Sequence, residues 1–134
     1  TSQIYSHFSQ NHPESPLFFL RTAKNFGKGH AIRVGVEAAG GEVIFFSDID
    51  FSVSLDHLPQ FLSQLKTHQL VIGSRRLSSS KITKHQPDIR ESLGKGFTSL
   101  SNKILGLHHS DLTCGFKGFQ KKPAKQLFSL QKFF

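Results

Sequence analysis

The chain has 134 residues, the length of one domain, and 37% of them are hydrophobic, which suffices for a single globular core. A net charge of +8 and a pI near 9.9 predict attraction to phosphate on nucleic acid, anionic lipid or nucleotides. The scattered basic residues argue against a nucleic-acid-binding tail, so no nucleic acid is expected, and the absence of an apolar run of roughly 18 residues predicts a soluble chain.

The first half of the sequence is predicted to alternate helices with strands. Apolar residues four apart predict an amphipathic helix over residues 1–10, which two prolines end. The apolar run LFFL, residues 17–20, is predicted to be a buried strand. Residues 30–39 carry small and apolar side chains at helical spacing, and EVIFF, residues 42–46, is predicted to be the next strand.

The second half continues the alternation. Ser54 is predicted to cap a helix that ends near residue 65, and LVIGS, residues 70–74, is predicted to be a strand. Residues 76–88 are polar and predict a mobile loop. Apolar residues spaced by three and four then predict a helix over residues 89–105.

The last elements complete an α/β pattern. TCGFKGF, residues 113–119, is a candidate strand, with Cys114 expected to be a small buried residue, and Pro123 fits the first turn of a final helix. Strands that alternate with helices predict crossover connections and a mostly parallel sheet flanked by helices.

Two aspartates, Asp48 and Asp50, follow the strand predicted at residues 42–46. Residues two apart on a strand point the same way, and ligands of open α/β sheets bind at the carboxyl ends of strands. Because a divalent cation relieves the repulsion between neighbouring carboxylates, the pair predicts a site for Mg²⁺ or Mn²⁺. An ordinary polar turn is the alternative for an Asp-x-Asp sequence without further context.

Five segments supply that context, in the order NFGKGHAIRVGVEAAGG, DID, VIGSR, QPDIRESLGKGF and DLTCGFKGF. Their order and spacing, from about Leu17 to Phe119, resemble family 2 glycosyltransferases. The resemblance is closest to the branch of dolichyl-phosphate glucosyl- and mannosyltransferases and their bacterial polyprenyl-phosphate counterparts. It implies that residues 1–134 form a single partial domain of the GT-A fold, a Rossmann-like and mostly parallel sheet flanked by helices that is incomplete at its N-terminus.

The implied activity is a metal-dependent, inverting transfer of a hexose from a nucleotide sugar of the UDP-glucose or GDP-mannose type. The implied acceptor is a polyprenyl or dolichyl phosphate at a membrane surface. Since the acceptor phosphate is largely ionised at neutral pH, it needs no general base. The chemical demand falls on the leaving nucleoside diphosphate, whose charge a metal and cations such as Arg75 would stabilise.

The resemblance also implies site residues on the donor side. Asp50 would be the principal metal ligand, with Asp48 near the nucleotide and the metal. Lys28 and Gly29 would lie close to the donor, at a glycine turn into a helix N-terminus. Ser52 would be an auxiliary contact or, equally, a turn hydroxyl.

Two arginines and one motif complete the implied site. Arg75 and Arg90 would contact phosphates of the donor or lipid acceptor and count as catalytic, with a solvated surface role as the alternative. A surface role is favoured for Arg76. The DLTCGFK segment would shape the sugar and acceptor side, or would simply be a strand with a packed phenylalanine; its matching residues are Asp111, Gly115, Phe116 and Lys117.

Two motifs of the family, a P-x-Y-N-E-like strand and a strand ending in D-D-G-S, are not found in the sequence. We therefore expect the chain alone to have little or no activity. We also expect a cytoplasmic location, at the cytoplasmic face of a membrane, through parts outside this chain. Two alternatives stay open: a family 2 transferase acting on a saccharide hydroxyl, and a non-catalytic module that binds phosphate or an anionic surface.

Overall fold

The computed structural model of the protein describes residues 2–50, 53–77 and 88–131, with the side chains of Asp88 and Arg90 outside this description. Helices and short strands alternate along most of the chain. The elements are α1 (Ser2–Asn11), α2 (Gly27–Ala38), β1 (Val43–Phe46), a 3-10 helix (Leu55–His57), α3 (Leu58–Gln64), β2 (Leu70–Ile72), α4 (Asp88–Leu105), β3 (Lys117–Gln120) and α5 (Lys121–Ser129). None of the helices in these ranges is long and apolar enough to cross a membrane.

Most of the predicted elements are confirmed. The Ser54 side chain accepts a hydrogen bond from the backbone N–H of Asp56 and so caps the 3-10 helix that leads into α3. Cys114 is buried, as expected for a small apolar side chain. Most of the loop predicted at residues 76–88 lies outside the described residues.

The strand predicted at residues 17–20 is wrong. This segment pairs with no strand in the described part of the chain, and its side chains are largely exposed, with Phe18 at 81%. Phe19 stacks on Tyr5, with ring centroids 5.2 Å apart. An apolar run favours a strand only if a neighbouring strand can satisfy its backbone, and the run itself carries no information about that neighbour.

The sheet has the strand order β1-β3-β2, and both of its pairings are antiparallel. The mostly parallel sheet that we expected is therefore not confirmed by the described strands. β1 and β2 point the same way, but β3 lies between them and runs in the opposite direction. The alternation of elements predicted these three strands but could not show that the last of them inserts between the first two.

Helices cover both faces of this sheet. On one face, α2 and α5 pack on Ile44 and Phe119, which are register partners in β1 and β3. On the other face, Phe61 of α3 packs on Phe116, with ring centroids 4.8 Å apart. The result is a three-layer α/β arrangement whose core is rich in phenylalanine.

Gly118 lets the second aromatic layer approach the central strand. A Cβ at this position would lie 2.6 Å from the Phe45 ring and 3.0 Å from the Leu65 side chain. Phe45 is the register partner of Gly118 on β1, so its ring lies next to the glycine. The absence of a side chain here is a packing requirement.

We expect Gly118→Ala to lower the free energy of unfolding by about 1–3 kcal/mol, because the added methyl group overpacks a filled core. Urea denaturation followed by circular dichroism measures the change. Gly35→Ala is the matched control, since a Cβ there meets nothing within 4 Å and lies on α2. Equal stability of the two variants would contradict the packing requirement.

Candidate functional site

The loop after β1 carries the two aspartates. β1 ends at Phe46, so Asp48 and Asp50 both lie beyond the strand, and Asp50 is exposed in a turn. Nζ of Lys28 donates a hydrogen bond to Oδ1 of Asp48 over 2.5 Å. This contact joins the loop after β1 to the first turn of α2.

Local sequence fixes where α2 begins. Gly27 has a φ of +83°, a conformation that favours glycine, and its N–H donates to the side-chain oxygen of Asn25. The helix starts at Gly27, so Lys28 and Gly29 belong to its first turn. The unpaired N–H groups of a first turn, together with the helix dipole, favour an anion at this end.

The DLTCGFK segment lies against the same loop. A Cβ on Gly115 would collide with the Asp48 carboxylate, which therefore lies directly over the glycine backbone. Two sequence motifs that are 67 positions apart are thus in contact, and only glycine permits the approach.

Arg75 and Asp111 form the strongest polar contact of the site. Nε and Nη2 of Arg75 donate to the two carboxylate oxygens of Asp111, over 2.8 and 3.1 Å. Thr113 adds its backbone N–H and its hydroxyl as further donors to Oδ1 of Asp111. The Asp111 side chain is fully buried, whereas that of Arg75 is 37% exposed. The guanidinium edge formed by Nε and Nη2 is therefore fixed by Asp111, while part of the Arg75 side chain stays exposed.

The ion pair shifts the pKa values of both side chains, Asp111 and Arg75. Burial by itself would raise the pKa of Asp111, but the hydrogen bonds from Arg75 and Thr113 outweigh burial and hold that pKa at about 2. The hydrogen bond to Asp111 raises the pKa of Arg75 above its ordinary value, against the opposing effect of burial. Both groups stay charged across the physiological pH range.

Lys117 begins β3 and is half-buried beside the ion pair. Its Nζ donates to the backbone carbonyl of Cys114 over 2.5 Å and lies 5.4 Å from the centre of the Phe46 ring. Burial lowers the pKa of Lys117, and the positive charge of Lys28 lowers it further. The two lysines are therefore close enough to interact electrostatically.

The structure brings most of the expected site residues together at one end of the sheet. The residues joined by direct contact or electrostatic interaction are Lys28, Asp48, Arg75, Asp111, Gly115 and Lys117. Phe116 lies nearby but belongs to the core, at 1% exposure. Ser52 and the Arg90 side chain lie outside the described residues, so their roles stay predictions.

Two contacts were not anticipated from the sequence. Thr113 donates its backbone N–H and its hydroxyl to Asp111, and its hydroxyl oxygen accepts a hydrogen bond from Nη2 of Arg75. Its position two residues after Asp111 is the usual spacing for such a turn. Arg76, for which a solvated surface role was favoured, is partly buried and donates to the Thr98 hydroxyl and the Ser110 carbonyl. No local signal in the sequence separates Arg76 from an ordinary surface arginine.

The carboxylates predicted to bind a metal are those of Asp48 and Asp50. No group of three or more His, Cys, Asp or Glu side chains converges within residues 2–50, 53–77 and 88–131. Mg²⁺ and Mn²⁺ commonly take one or two carboxylates and fill their remaining positions with water and substrate phosphate. In number and kind, the two carboxylates of Asp48 and Asp50 match the ligands expected for a metal that binds together with a phosphate.

The Arg75–Asp111 pair predicts a specific pH dependence of stability. Because the pKa of Asp111 falls from 3.8 to about 2 on folding, its ionised form stabilises the protein above pH 4, on the order of 2 kcal/mol. This contribution is lost as the pH falls through about 2. Urea denaturation of Asp111→Asn should show lower stability at pH 7 and a difference from the parent that shrinks in acid. Glu14→Gln, an exposed carboxylate, is the control, and a constant difference for Asp111→Asn would refute the linkage.

Gly115→Ala tests the contact between the two motifs. The added methyl group would displace the Asp48 carboxylate, which can rotate away without moving the backbone. We expect the fold to survive, with little change in circular dichroism, while the Lys28–Asp48 contact is lost. The Lys28 and Asp48 resonances in a nuclear magnetic resonance spectrum would report the loss. Gly96→Ala, which meets nothing within 4 Å, should leave these resonances unchanged.

Comparison with known proteins identifies the family. The sequence profile described as glycosyl transferase family 2 matches residues 1–128. The chain is 31% identical, over 98% of its length, to the dolichyl-phosphate beta-glucosyltransferase ALG5C of Trichomonas vaginalis and 29% identical, over 96%, to the human dolichyl-phosphate beta-glucosyltransferase. It is 33% identical, over 75% of its length, to the undecaprenyl-phosphate mannosyltransferase of Micrococcus luteus. It spans 40% to 42% of the length of these three relatives. The chain belongs to glycosyl transferase family 2.

Proposed function

We propose that the chain forms part of the catalytic domain of a glycosyltransferase of the GT-A fold that moves a hexose from a nucleotide sugar to a polyprenyl phosphate, with inversion at the anomeric carbon. The observation that carries the proposal is the contact of the Asp48 carboxylate with Gly115, amid three cationic side chains. The names of the relatives, which specify dolichyl and undecaprenyl phosphate, support the acceptor class.

The donor's diphosphate would bind between the first turn of α2 and Arg75. Lys28 and the N–H groups near Gly29 offer positive charge at the helix N-terminus. Arg75 uses Nε and Nη2 for Asp111, and its Nη1 makes no hydrogen bond to the residues that the structure describes. Nη1 is therefore the natural donor to a phosphate oxygen.

A divalent cation, Mg²⁺ or Mn²⁺, would be held by Asp48 and Asp50 together with the diphosphate. When bound, it would neutralise charge that develops on the leaving nucleoside diphosphate. Lys28 pairs with Asp48 in the structure and would turn towards the phosphates when the metal binds. Ser52, two residues beyond Asp50, is the further candidate for this side of the site.

The acceptor is a phosphate monoester, and its ionised oxygen is itself the nucleophile. A bond forms between this oxygen and the anomeric carbon as the bond from that carbon to the nucleoside diphosphate breaks. Lys117, with its pKa lowered by burial, and Arg90, at the start of α4, are the candidate cations on the acceptor side. No proton has to be removed, so no general base is assigned.

Asp111 would act through Arg75. Its fully buried carboxylate cannot touch a substrate, but its bidentate contact fixes the plane of the guanidinium that binds phosphate. Gly115 would leave room for the Asp48 carboxylate beside the backbone. Phe116, which is buried, would anchor the same segment in the core. The acceptor lipid would lie at the cytoplasmic face of a membrane.

The test is sugar transfer by the chain extended to the length of its relatives, with labelled UDP-glucose or GDP-mannose and a short polyprenyl phosphate. We expect product only with Mg²⁺ or Mn²⁺ and a loss of about a hundredfold or more for Asp50→Ala. Asp56→Ala, an exposed aspartate of the following 3-10 helix, is the matched control and should keep its activity.

The other outcomes identify the alternatives. Transfer to a saccharide hydroxyl but not to the lipid phosphate would refute the acceptor. Metal-independent binding of phosphate or anionic surfaces without transfer would indicate a non-catalytic module. For such a module Asp50→Ala would slightly increase affinity, because it raises the net positive charge.

A further inference from the structure

Helix α4 has an apolar stripe that no part of the described chain covers. The side chains recur at intervals of three and four residues, which places them on one face of the helix. All are exposed, from 57% for Phe97 to 76% for Ile89. The stripe consists of Ile89, Leu93, Phe97, Leu100 and Ile104.

The same helix is attached to the protein by its opposite, polar face. Thr98, at 4% exposure, accepts a hydrogen bond from Nη1 of Arg76. A Cβ on Gly94, one turn earlier, would lie 3.1 Å from Nη2 of Arg76. Asn102, one turn later, exchanges hydrogen bonds with the backbone of His109. This arrangement inverts that of an ordinary surface helix, whose apolar face points to the core.

The charge of the chain is concentrated in the half that carries α4. Residues 66–134 contain thirteen lysines and arginines against three acids, whereas residues 1–65 contain four against six. After Glu91 the sequence has one acid, Asp111, which is buried and paired with Arg75. Lys103, in the last turn of α4, is exposed beside the stripe. An exposed apolar stripe on a helix from the strongly basic half of the sequence matches a helix that lies in the plane of an anionic membrane.

We propose that α4 docks this domain on an anionic lipid surface, with the stripe of α4 inserted at the level of the headgroups. The inference rests on the proposed function in one respect, since an acceptor carried by a lipid requires the site to approach a membrane. A second copy of the chain is disfavoured as the occupant, because two chains that each carry a net charge of +8 repel each other.

The docked helix is connected to the site by hydrogen bonds. Arg76 joins α4 to the segment after β2 and follows Arg75 directly in sequence. The hydroxyls of Ser74 and Ser110 are 2.7 Å apart, and each is adjacent in sequence to a partner of the Arg75–Asp111 pair. Docking through the stripe would therefore hold Arg75 at a constant height above the lipid headgroups.

The sequence offers a direct probe, because it contains no tryptophan. Phe97→Trp places one indole on the stripe, and Phe18→Trp places one at a similarly exposed position in the acidic half of the chain. We expect the emission of the Phe97→Trp protein to shift to shorter wavelength with vesicles of phosphatidylcholine and phosphatidylglycerol in equal amounts. It should shift little with phosphatidylcholine alone, and that of the Phe18→Trp protein should not shift.

Two double variants, neither of which changes the net charge, measure how much the stripe contributes to vesicle binding. Leu93→Gln with Leu100→Gln should lower the partition coefficient onto the same vesicles about tenfold or more, because two apolar side chains no longer leave water. Ile4→Gln with Leu20→Gln removes two exposed apolar side chains elsewhere, leaves the charge unchanged, and should bind as the parent does.

Equal loss of binding in both pairs, or no loss in either, would overturn the proposal. If the Phe97→Trp protein already emitted at short wavelength without vesicles, protein would cover the stripe and the docking proposal would be overturned. Analytical sedimentation would then show whether the covering protein is a second copy of the chain. The vesicles contain no polyprenyl phosphate, so the result is independent of transfer. Vesicle binding that depends on the stripe, without sugar transfer, would support the docking and refute the proposed function. Sugar transfer without vesicle binding that depends on the stripe would support the proposed function and refute the docking.

Discussion

The bidentate contact between Arg75 and Asp111 is the constraint on which the site depends. A fully buried carboxylate would be costly without partners, and here both of its oxygens accept hydrogen bonds from Arg75 and Thr113. The pair closes the gap between the segment after β2 and the segment before β3. Since β3 runs between β1 and β2, the same contact fixes where the DLTCGFK motif meets the loop after β1.

Positive charge collects where these segments meet. Lys28, Arg75 and Lys117 lie near one another beside the carboxylates of Asp48 and Asp111, and the lowered pKa of Lys117 reflects its burial and the charge of Lys28. Neighbouring cations repel each other, and a bound anion would relieve this repulsion. A diphosphate is the kind of anion that this geometry accommodates, because it can accept from several donors at once.

The spacing of apolar residues predicted those helices and strands whose formation depends mainly on neighbouring residues in the sequence. The helical spacing predicted α2 and α4, and the apolar run at residues 42–46 predicted β1. The direction of β3 and the exposure of residues 17–20 depend on which strands become neighbours, and no local pattern contains that information. The periodicity of α4 likewise gave the helix correctly, but not the direction in which its apolar side points.

The same limit applies to the site. The residues that surround Asp48 were identified through motif resemblance, and the structure brings most of them into contact. The burial of Asp111 and its role as the partner of Arg75, 36 positions away, could not be deduced, because the pairing arises from the way β2 and β3 lie side by side. Arg76 was misjudged for a similar reason, since its partners Thr98 and Ser110 lie far along the chain.

The inverted attachment of α4 has a consequence for how stability is distributed over the fold. Its contacts with the rest of the described chain are mainly hydrogen bonds, and none of its apolar side chains is buried there. A hydrogen bond within the protein replaces one to water, so it contributes much less to stability than the burial of an apolar side chain. The free energy of local unfolding is therefore smaller for α4 than for the elements that pack around β3. The helix can thus unfold and refold locally while the three strands stay intact, and whatever covers its stripe sets how long it persists.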